Sequence, residues 1–389
     1  MVVTDGSTLQ AAYVNKGIRS REIAVVIGAG FYGCTLALEL ARYYQSVVLI
    51  ESEEAIMCRA SYHNQARVHM GYHYPRCLKT AQSCRRNYQQ FLNEFPDTIE
   101  HSSPSYYAIA QKDSKVTAQD FEEFCQRIGA PLQRCDLRTA SAIAPYGVEQ
   151  VYKVVEASFN AFKLRRDMAS KLRSANVKTM LSTRAVQISK TNSSYSVLVE
   201  HSNVSSSLPA DVVYICAYSD INRLLMRSGM RTVPLHHQLT EMSLLDSSSK
   251  LPNMSLTIMD GPFFSLTPFP SLDLQVLSHV SYTPHFVWLD EGGENLPDSK
   301  KVLASYPKSN NRKMILDAGR YSPAIGNSVY LESLWAVKTM IPTQQHNDGR
   351  SVLFRECDEA VYAVLGSKID NIFDMRSMLR RRYQEYIYA

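Results

Sequence analysis

The chain has 389 residues, enough for two domains with full cores, and its 45% apolar and 20% charged residues are ordinary for a globular protein. The net charge of +5 is mild; the Arg380-Arg381-Arg382 triplet lacks an aromatic stacking platform and reads as a solvated helix end, so no nucleic-acid partner is expected. With no apolar run of ~18 residues, no secretion-signal pattern at the N-terminus and eight scattered cysteines without C-x-x-C, the expectation is a reduced, cytoplasmic protein without a membrane span or disulfide framework.

After a lead-in over 1–21, the chain opens on Ile23-Ala24-Val25-Val26-Ile27, an apolar run that suits a parallel strand buried on both faces. Gly28, Gly30 and Gly33 follow in G-x-G-x-x-G spacing, with Phe31 and Tyr32 between the last two. Gly28 permits the tight turn, Gly30 lets the backbone approach a pyrophosphate, and Gly33 lets the helix sit close on the strand. The helix N-terminus supplies free N–H groups and a partial positive charge for a diphosphate. A second strand, Val47-Val48-Leu49-Ile50, ends in Glu51, placed to accept both ribose hydroxyls. Strand, glycines, helix, second strand and acid in register point to a bound adenine dinucleotide.

Residues 58–75 show neither helical nor strand period but are dense in polar and aromatic groups. Helix patterns follow over 79–95 and 118–128, with a short strand at 106–110. An amphipathic helix is predicted over 161–174, a strand at 178–181, a hairpin from 185–189 and 195–200, a buried strand at 211–217 and a helix at 220–226. That order returns the chain to the parallel sheet. From 233 the texture changes to alternating or apolar runs at 239–245, 254–259, 263–268 and 274–281, read as an antiparallel sheet. The stretch 299–317 reads as helical first and irregular later; strands at 328–341, 351–355 and 360–365 precede a glycine turn and a helix. The fold class is α/β: a Rossmann-type dinucleotide domain on a parallel sheet, with an inserted α+β substrate domain built on an antiparallel sheet. The boundaries are 1–78, 156–230 and 346–389 for the dinucleotide domain, 79–155 for an inserted cap and 231–345 for the substrate domain.

Four segments resemble the D-amino acid oxidase (DAO) superfamily of FAD-dependent oxidoreductases. They are 23–51; Ala60-Ser61-Tyr62-His63-Asn64; the helix, hairpin and returning strand of 159–222; and Gly366-Ser367-Lys368-Ile369. The resemblance implies FAD as cofactor, with Ser61, Asn64, Gly366, Lys368 and Ile369 joining the glycine-loop residues at the flavin. Two departures leave the substrate class open: Ala217 is followed by Tyr218 and Ser219 instead of x-Gly, and the glycine-rich C-terminal loop is reduced to Gly366. A second likeness is to UDP-galactopyranose mutases, carried by 366–375 and Met70-Gly71-Tyr72-His73. FAD is favoured over NAD because 59–75 lies where FAD proteins extend over the isoalloxazine.

A flavin enzyme must hold a substrate carbon against the ring and bind the substrate's charged group. Arginine suits a carboxylate because its fork donates two parallel hydrogen bonds. Arg67 and Arg350 are the candidates, followed by Arg320. His69 and His73, four apart in a poorly helical stretch without a third ligand, read as flavin- or substrate-facing groups or as loop histidines, not a metal pair. His63 is a candidate covalent attachment point for flavin. Lys368 either lies by the flavin or pairs with Asp370 or Asp374. His236-His237 reads as structural, and Cys58 and Cys77 carry no nucleophile signature. The expected activity is oxidation of a C–N or C–O bond of an amine, amino acid or hydroxy acid, with an unknown electron acceptor. The alternatives are a redox-neutral FAD-dependent mutase on a nucleotide sugar and a non-catalytic FAD-binding interaction protein.

Overall fold

The computed structural model describes residues 22–100, 103–246, 253–290, 296–305, 307–342 and 349–388. The 1–21 lead-in, the serine run at 247–249 and the Asn347-Asp348 pair before Arg350 lie outside the described residues.

Ile23–Ile27 sits in a six-stranded sheet ordered Leu353–Asp358, Val361–Leu365, Val212–Ile215, Ile23–Ile27, Ser46–Ile50, Lys178–Met180. Its neighbours run parallel, and only the outermost Leu353–Asp358 pairs antiparallel. The apolar run is explained by its surroundings. Ala24 and Val26 face a core with Phe31, Leu36 and Leu40, whereas Val25 and Ile27 face another with Val197, Val199 and Leu225. Helix Phe31–Leu40 packs on the first face beside helix Ala161–Ser174. The latter starts where Asn160 Oδ1 accepts from the Phe162 and Lys163 amides, and it turns Leu164, Met168 and Leu172 inward. The expected hairpin is a three-stranded meander, Thr183–Lys190, Tyr195–His201 and Val204–Ala210. Its third strand carries Ser205, Ser206 and Ser207, all exposed, so no apolar alternation announced it.

The second sheet has nine strands. Eight run in the order Pro284–Asp290, Leu235–Leu245, Leu274–His279, Phe264–Phe269, Ser255–Met259, Ser105–Ala110, Val148–Val154, Leu132–Arg134, and Tyr330–Met340 pairs along Leu235–Leu245. Ser105–Ala110 runs parallel to Ser255–Met259. Segments 79–155 and 231–345, separate in the sequence, therefore contribute to one sheet. The 299–317 stretch differs from its expected texture, because it holds two helices, Ser299–Leu303 and Asn311–Gly319, with irregular chain between them. The loop is pinned by Glu241, fully buried in mid-strand, which accepts from the Asn310 amide at 2.8 Å, from Ser333 Oγ at 2.5 Å and from Ser309 Oγ.

Helix Ile372–Tyr388 closes the fold on helix Phe31–Leu40. Arg380 holds Glu39 through two nitrogens at 2.7 and 2.9 Å, and Arg382 pairs with Glu356 at 2.8 Å. Two of the three arginines thus serve ion pairs, while Arg381 Nε donates to the Ser377 carbonyl of the same helix. The Tyr383 hydroxyl links those of Tyr44 and Tyr214, at 2.8 and 3.0 Å.

Candidate active site

A cavity of about 1180 Å³ lies between the carboxyl ends of the parallel strands and one face of the second sheet. Every site residue expected from the sequence lines it except Gly33 and Arg320. At the parallel-sheet end the glycines have separate steric duties. A Cβ on Gly28 (φ +99°) would stand 2.6 Å from the Cys216 carbonyl oxygen. One on Gly33 would stand 1.8 Å from the Gly28 oxygen, so Gly33 acts through helix-to-strand packing rather than by facing the cavity. A Cβ on Gly30 would meet only Ser61 Oγ, at 3.4 Å, so its outer face opens into the cavity.

The polar groups around this loop are organised. Glu51 accepts from the Ala29 amide at 2.7 Å with one oxygen and from the Glu53 amide at 3.0 Å with the other. Ser61 Oγ accepts from the Phe31 amide at 2.9 Å, in the first turn of the helix. Asn64 folds its own loop: Nδ2 donates to the Ala60 and Ser61 carbonyls, and Oδ1 accepts from the Ala66 amide at 2.7 Å, where φ is +50°. The Tyr32 hydroxyl donates to the Lys368 carbonyl at 2.7 Å, and a Cβ on Gly366 would lie 1.9 Å from that hydroxyl. The single glycine of the C-terminal turn is therefore a steric requirement of Tyr32, with Ile369 beside it in the lining. In the departing Ala217-Tyr218-Ser219 segment it is Tyr218 that takes positive φ, +54°, and its hydroxyl accepts from the Thr339 amide. An open face at Gly30, a helix N-terminus and a fixed carboxylate at Glu51 fit an adenine dinucleotide.

At the other end the charged groups are buried. Arg67 donates to Tyr107 Oη and Thr257 Oγ1, both at 3.0 Å, and stands 3.5 Å from Glu156. Both terminal nitrogens of Arg67 are thus engaged within the protein, and only its Nε is a buried atom without a partner. Tyr107 Oη donates to Glu156 at 3.1 Å, and His69 Nδ1 lies 3.4 Å from the same carboxylate, outside hydrogen-bond geometry. Burial is the largest influence and opposes the Glu156 charge, but Arg67, His69 and the Tyr107 hydroxyl together hold the carboxyl below its ordinary range. Glu156 and Tyr107 escaped the sequence reading. Glu156 lies between two short strands, Val148–Val154 and Ala157–Phe159, without a motif of its own, and only the fold brings it to Arg67 and His69.

His73 keeps a buried Nδ1 without a partner, and its ring lies 5.6 Å from that of His69. Burial, then the neighbouring His69 ring and the cations Arg67, Arg350 and Lys338, push its pKa well below the usual histidine value. Arg350 donates to the Gly349 carbonyl at 2.8 Å, and no carboxylate pairs it among the described residues. Lys368 is the paired alternative of its two readings and still lines the cavity. Its ammonium meets Asp370 at 3.2 Å and Cys84 Sγ at 2.6 Å and lies over the Tyr74 ring. Burial opposes its charge, but Asp370 and Cys84 lift its pKa above the ordinary lysine value.

The remaining candidates separate cleanly. His63 lines the cavity with Nδ1 donating to the Trp335 carbonyl at 2.7 Å. Arg320 is outside it, an exposed partner of Asp317 at 3.1 Å. His237 bridges Thr339 and Asp290, both at 2.9 Å, a structural role. The Cys58 thiol is pushed up by burial. Among the described residues no His, Cys, Asp and Glu group could hold a metal ion, and no helix is long and apolar enough to cross a membrane.

Residues 24–293 match the family model DAO, described as FAD dependent oxidoreductase. The FAD-dependent monooxygenase kojA of Aspergillus flavus is 26% identical over 366 residues, covering 89% of this chain and 82% of that protein. The FAD-dependent monooxygenase FPY4 of Fusarium mangiferae is 33% identical over 100 residues, 26% of this chain and 27% of that protein. Among solved structures, L-alpha-glycerophosphate oxidase from Mycoplasma pneumoniae with FAD bound superposes with a TM-score of 0.70 at 14% identity, covering 92% of this chain and 93% of that one. Glycine oxidase from Geobacillus kaustophilus gives 0.66 at 13% identity, with 93% of each chain covered. The protein belongs to the DAO family of FAD-dependent oxidoreductases, an enzyme with FAD as its cofactor.

Proposed function

We propose that the enzyme oxidises a C–N or C–O bond of a small polar metabolite, an amine, amino acid or hydroxy acid, with Arg350 favouring one that carries a carboxylate. FAD, when bound, supplies the hydride acceptor at N5. The residues supply binding and proton handling. Arg350, with a backbone carbonyl as its contact, is the fork for a carboxylate. Arg67 is committed to Tyr107, Thr257 and Glu156 and contributes a fixed positive field. His73 is uncharged at neutral pH and takes the proton of a substrate N–H or O–H. His69 stands beside it, and charged Lys368 lies toward the glycine loop. The observation that carries this reading is an unpartnered imidazole nitrogen and a guanidinium without a carboxylate in the one cavity that also contains the dinucleotide loop.

The relatives' names favour a second reading, oxygen insertion by the same cavity. Anaerobic mixing of the oxidised holoenzyme with amines, amino acids and hydroxy acids separates the two. Bleaching of the flavin band by one class, with a ketone or imine product, supports direct oxidation. No bleaching by any of them, together with substrate-dependent incorporation of oxygen from labelled O2 when a reductant is supplied, replaces it with oxygen insertion.

A further inference from the structure

Helix Ser299–Leu303 belongs to the chain between two strands of the second sheet, Pro284–Asp290 and Tyr330–Met340, yet its polar groups reach the parallel sheet. Lys300 Nζ meets Glu53 at 2.9 Å, just past the end of strand Ser46–Ile50. Asp298 meets Arg223 at 2.9 Å, and Ser299 Oγ donates to Asp220 at 2.8 Å, both just past strand Val212–Ile215. Arg59 adds a bond to Ser299 Oγ at 3.1 Å. Those two strands flank Ile23–Ile27, whose carboxyl end carries the glycine loop, so the helix is tied to both lips of the dinucleotide crevice. Asp298, Lys300 and Leu303 line the same cavity as Gly28, Gly30 and Glu51.

We infer that Ser299–Leu303 is a latch across the dinucleotide crevice, with Lys300–Glu53 and Asp298–Arg223 as its two ties. FAD passes under it on binding and on release. The ties are ionic and partly solvated: Lys300 and Glu53 are 44% and 30% exposed, and Arg223 and Asp298 are each 23% exposed. Burial opposes both carboxylate charges, but Arg223 with the Lys300 and Lys301 amides keeps Asp298 below its ordinary range, and Lys300 with Arg59 and Ser52 does the same for Glu53. A strap held by charges opens without breaking either core, and salt weakens it.

A latch differs from a direct cofactor contact in its kinetics. Loosening a latch speeds passage in both directions, whereas losing a contact speeds only release. Lys300→Glu places like charges opposite Glu53. At low ionic strength it should raise the rate of FAD release from holoenzyme about two- to fivefold, followed by recovery of flavin fluorescence. Rebinding of FAD to flavin-stripped protein should accelerate by the same factor. High salt should bring the wild type toward the variant, and Glu53→Lys with Lys300→Glu should restore both rates. Lys190→Ala, which removes a surface pair with Glu359 outside the cavity, should leave both rates unchanged. Wild-type rates in Lys300→Glu, faster release with unchanged rebinding, or an equal effect of Lys190→Ala would each overturn the latch. Should Lys300→Glu fail to fold, salt-independent release and rebinding by the wild type would overturn it equally.

Discussion

The two ends of the cavity are built by opposite strategies. At the parallel-sheet end most groups come from one contiguous stretch, residues 23–64, and the polar atoms that shape the loop have partners: Glu51 on the Ala29 amide, Ser61 on the Phe31 amide, Asn64 on the Ala66 amide. At the second-sheet end Arg67, Glu156, Tyr107 and Thr257 meet from four distant places in the chain, and Arg67 Nε, His69 Nδ1 and His73 Nδ1 stay buried without hydrogen bonds. The glycine loop is finished before any ligand arrives, and at this end Ser367 Oγ in the C-terminal turn is the cavity-lining polar atom left buried without a partner among the described residues. The second end holds polar capacity that a substrate can use, at the expense of local stability.

The contrast breaks most visibly at Gly30. In Gly30→Val the Cβ meets only Ser61 Oγ, and the side chain fills the face that opens into the cavity. We expect flavin retention to be abolished, read as visible absorbance per mole of protein, with far-UV dichroism unchanged. Full retention would remove the dinucleotide role of this loop. Next is Glu156→Gln, which leaves the Arg67 charge buried without its counter-ion and should destabilise the protein by about 3–5 kcal/mol in denaturant unfolding. Equal loss on replacing an exposed carboxylate would show that the second end is not specially strained. Arg350→Ala should raise KM about 10- to 100-fold with an unchanged flavin spectrum. An unaltered KM would move anion binding elsewhere.

Acid should act on the second end first. The folded pKa of His73 lies below its ordinary 6.5, so the unfolded chain binds more protons below that pH and stability falls as pH drops through it. Glu156, depressed from 4.5, adds stability above that value and loses it lower still. Thermal unfolding of His73→Asn should show a smaller upper part of this decline, the remainder coming from His63, His236 and His279, which burial depresses as well. The smallest effect belongs to Arg320→Ala, an exposed pair with Asp317, which should change stability by no more than about 0.5 kcal/mol.

This contrast also explains what the sequence made legible. The glycine spacing, Glu51 and the flanking strands could be read because a pyrophosphate loop is local and its steric demands fall on consecutive residues. Helices Ala118–Ile128 and Ala161–Ser174 were equally legible, since Thr117 and Asn160 cap them and apolar residues recur along one face. His69, His73 and Arg350 could be nominated by chemistry, but their surroundings could not. Nothing local shows that Arg67 spends its fork on Tyr107 and Thr257, or that Glu156 sits beneath it. Strand Val148–Val154 escaped for a related reason. It alternates charged and apolar residues weakly, and its place between Ser105–Ala110 and Leu132–Arg134 is fixed by long-range pairing.

The contact of Tyr32 with the turn at Gly366–Lys368 has a consequence for biosynthesis. Strand Val361–Leu365 and that turn supply the last wall of the cofactor crevice, yet the ribosome makes them after the glycine loop, the meander and the whole second sheet. During vectorial synthesis the nascent chain therefore presents flavin with a crevice open on one side. Secure loading of FAD belongs to the moment when residues 361–371 dock, making cofactor capture a late checkpoint of maturation rather than a nucleus for it.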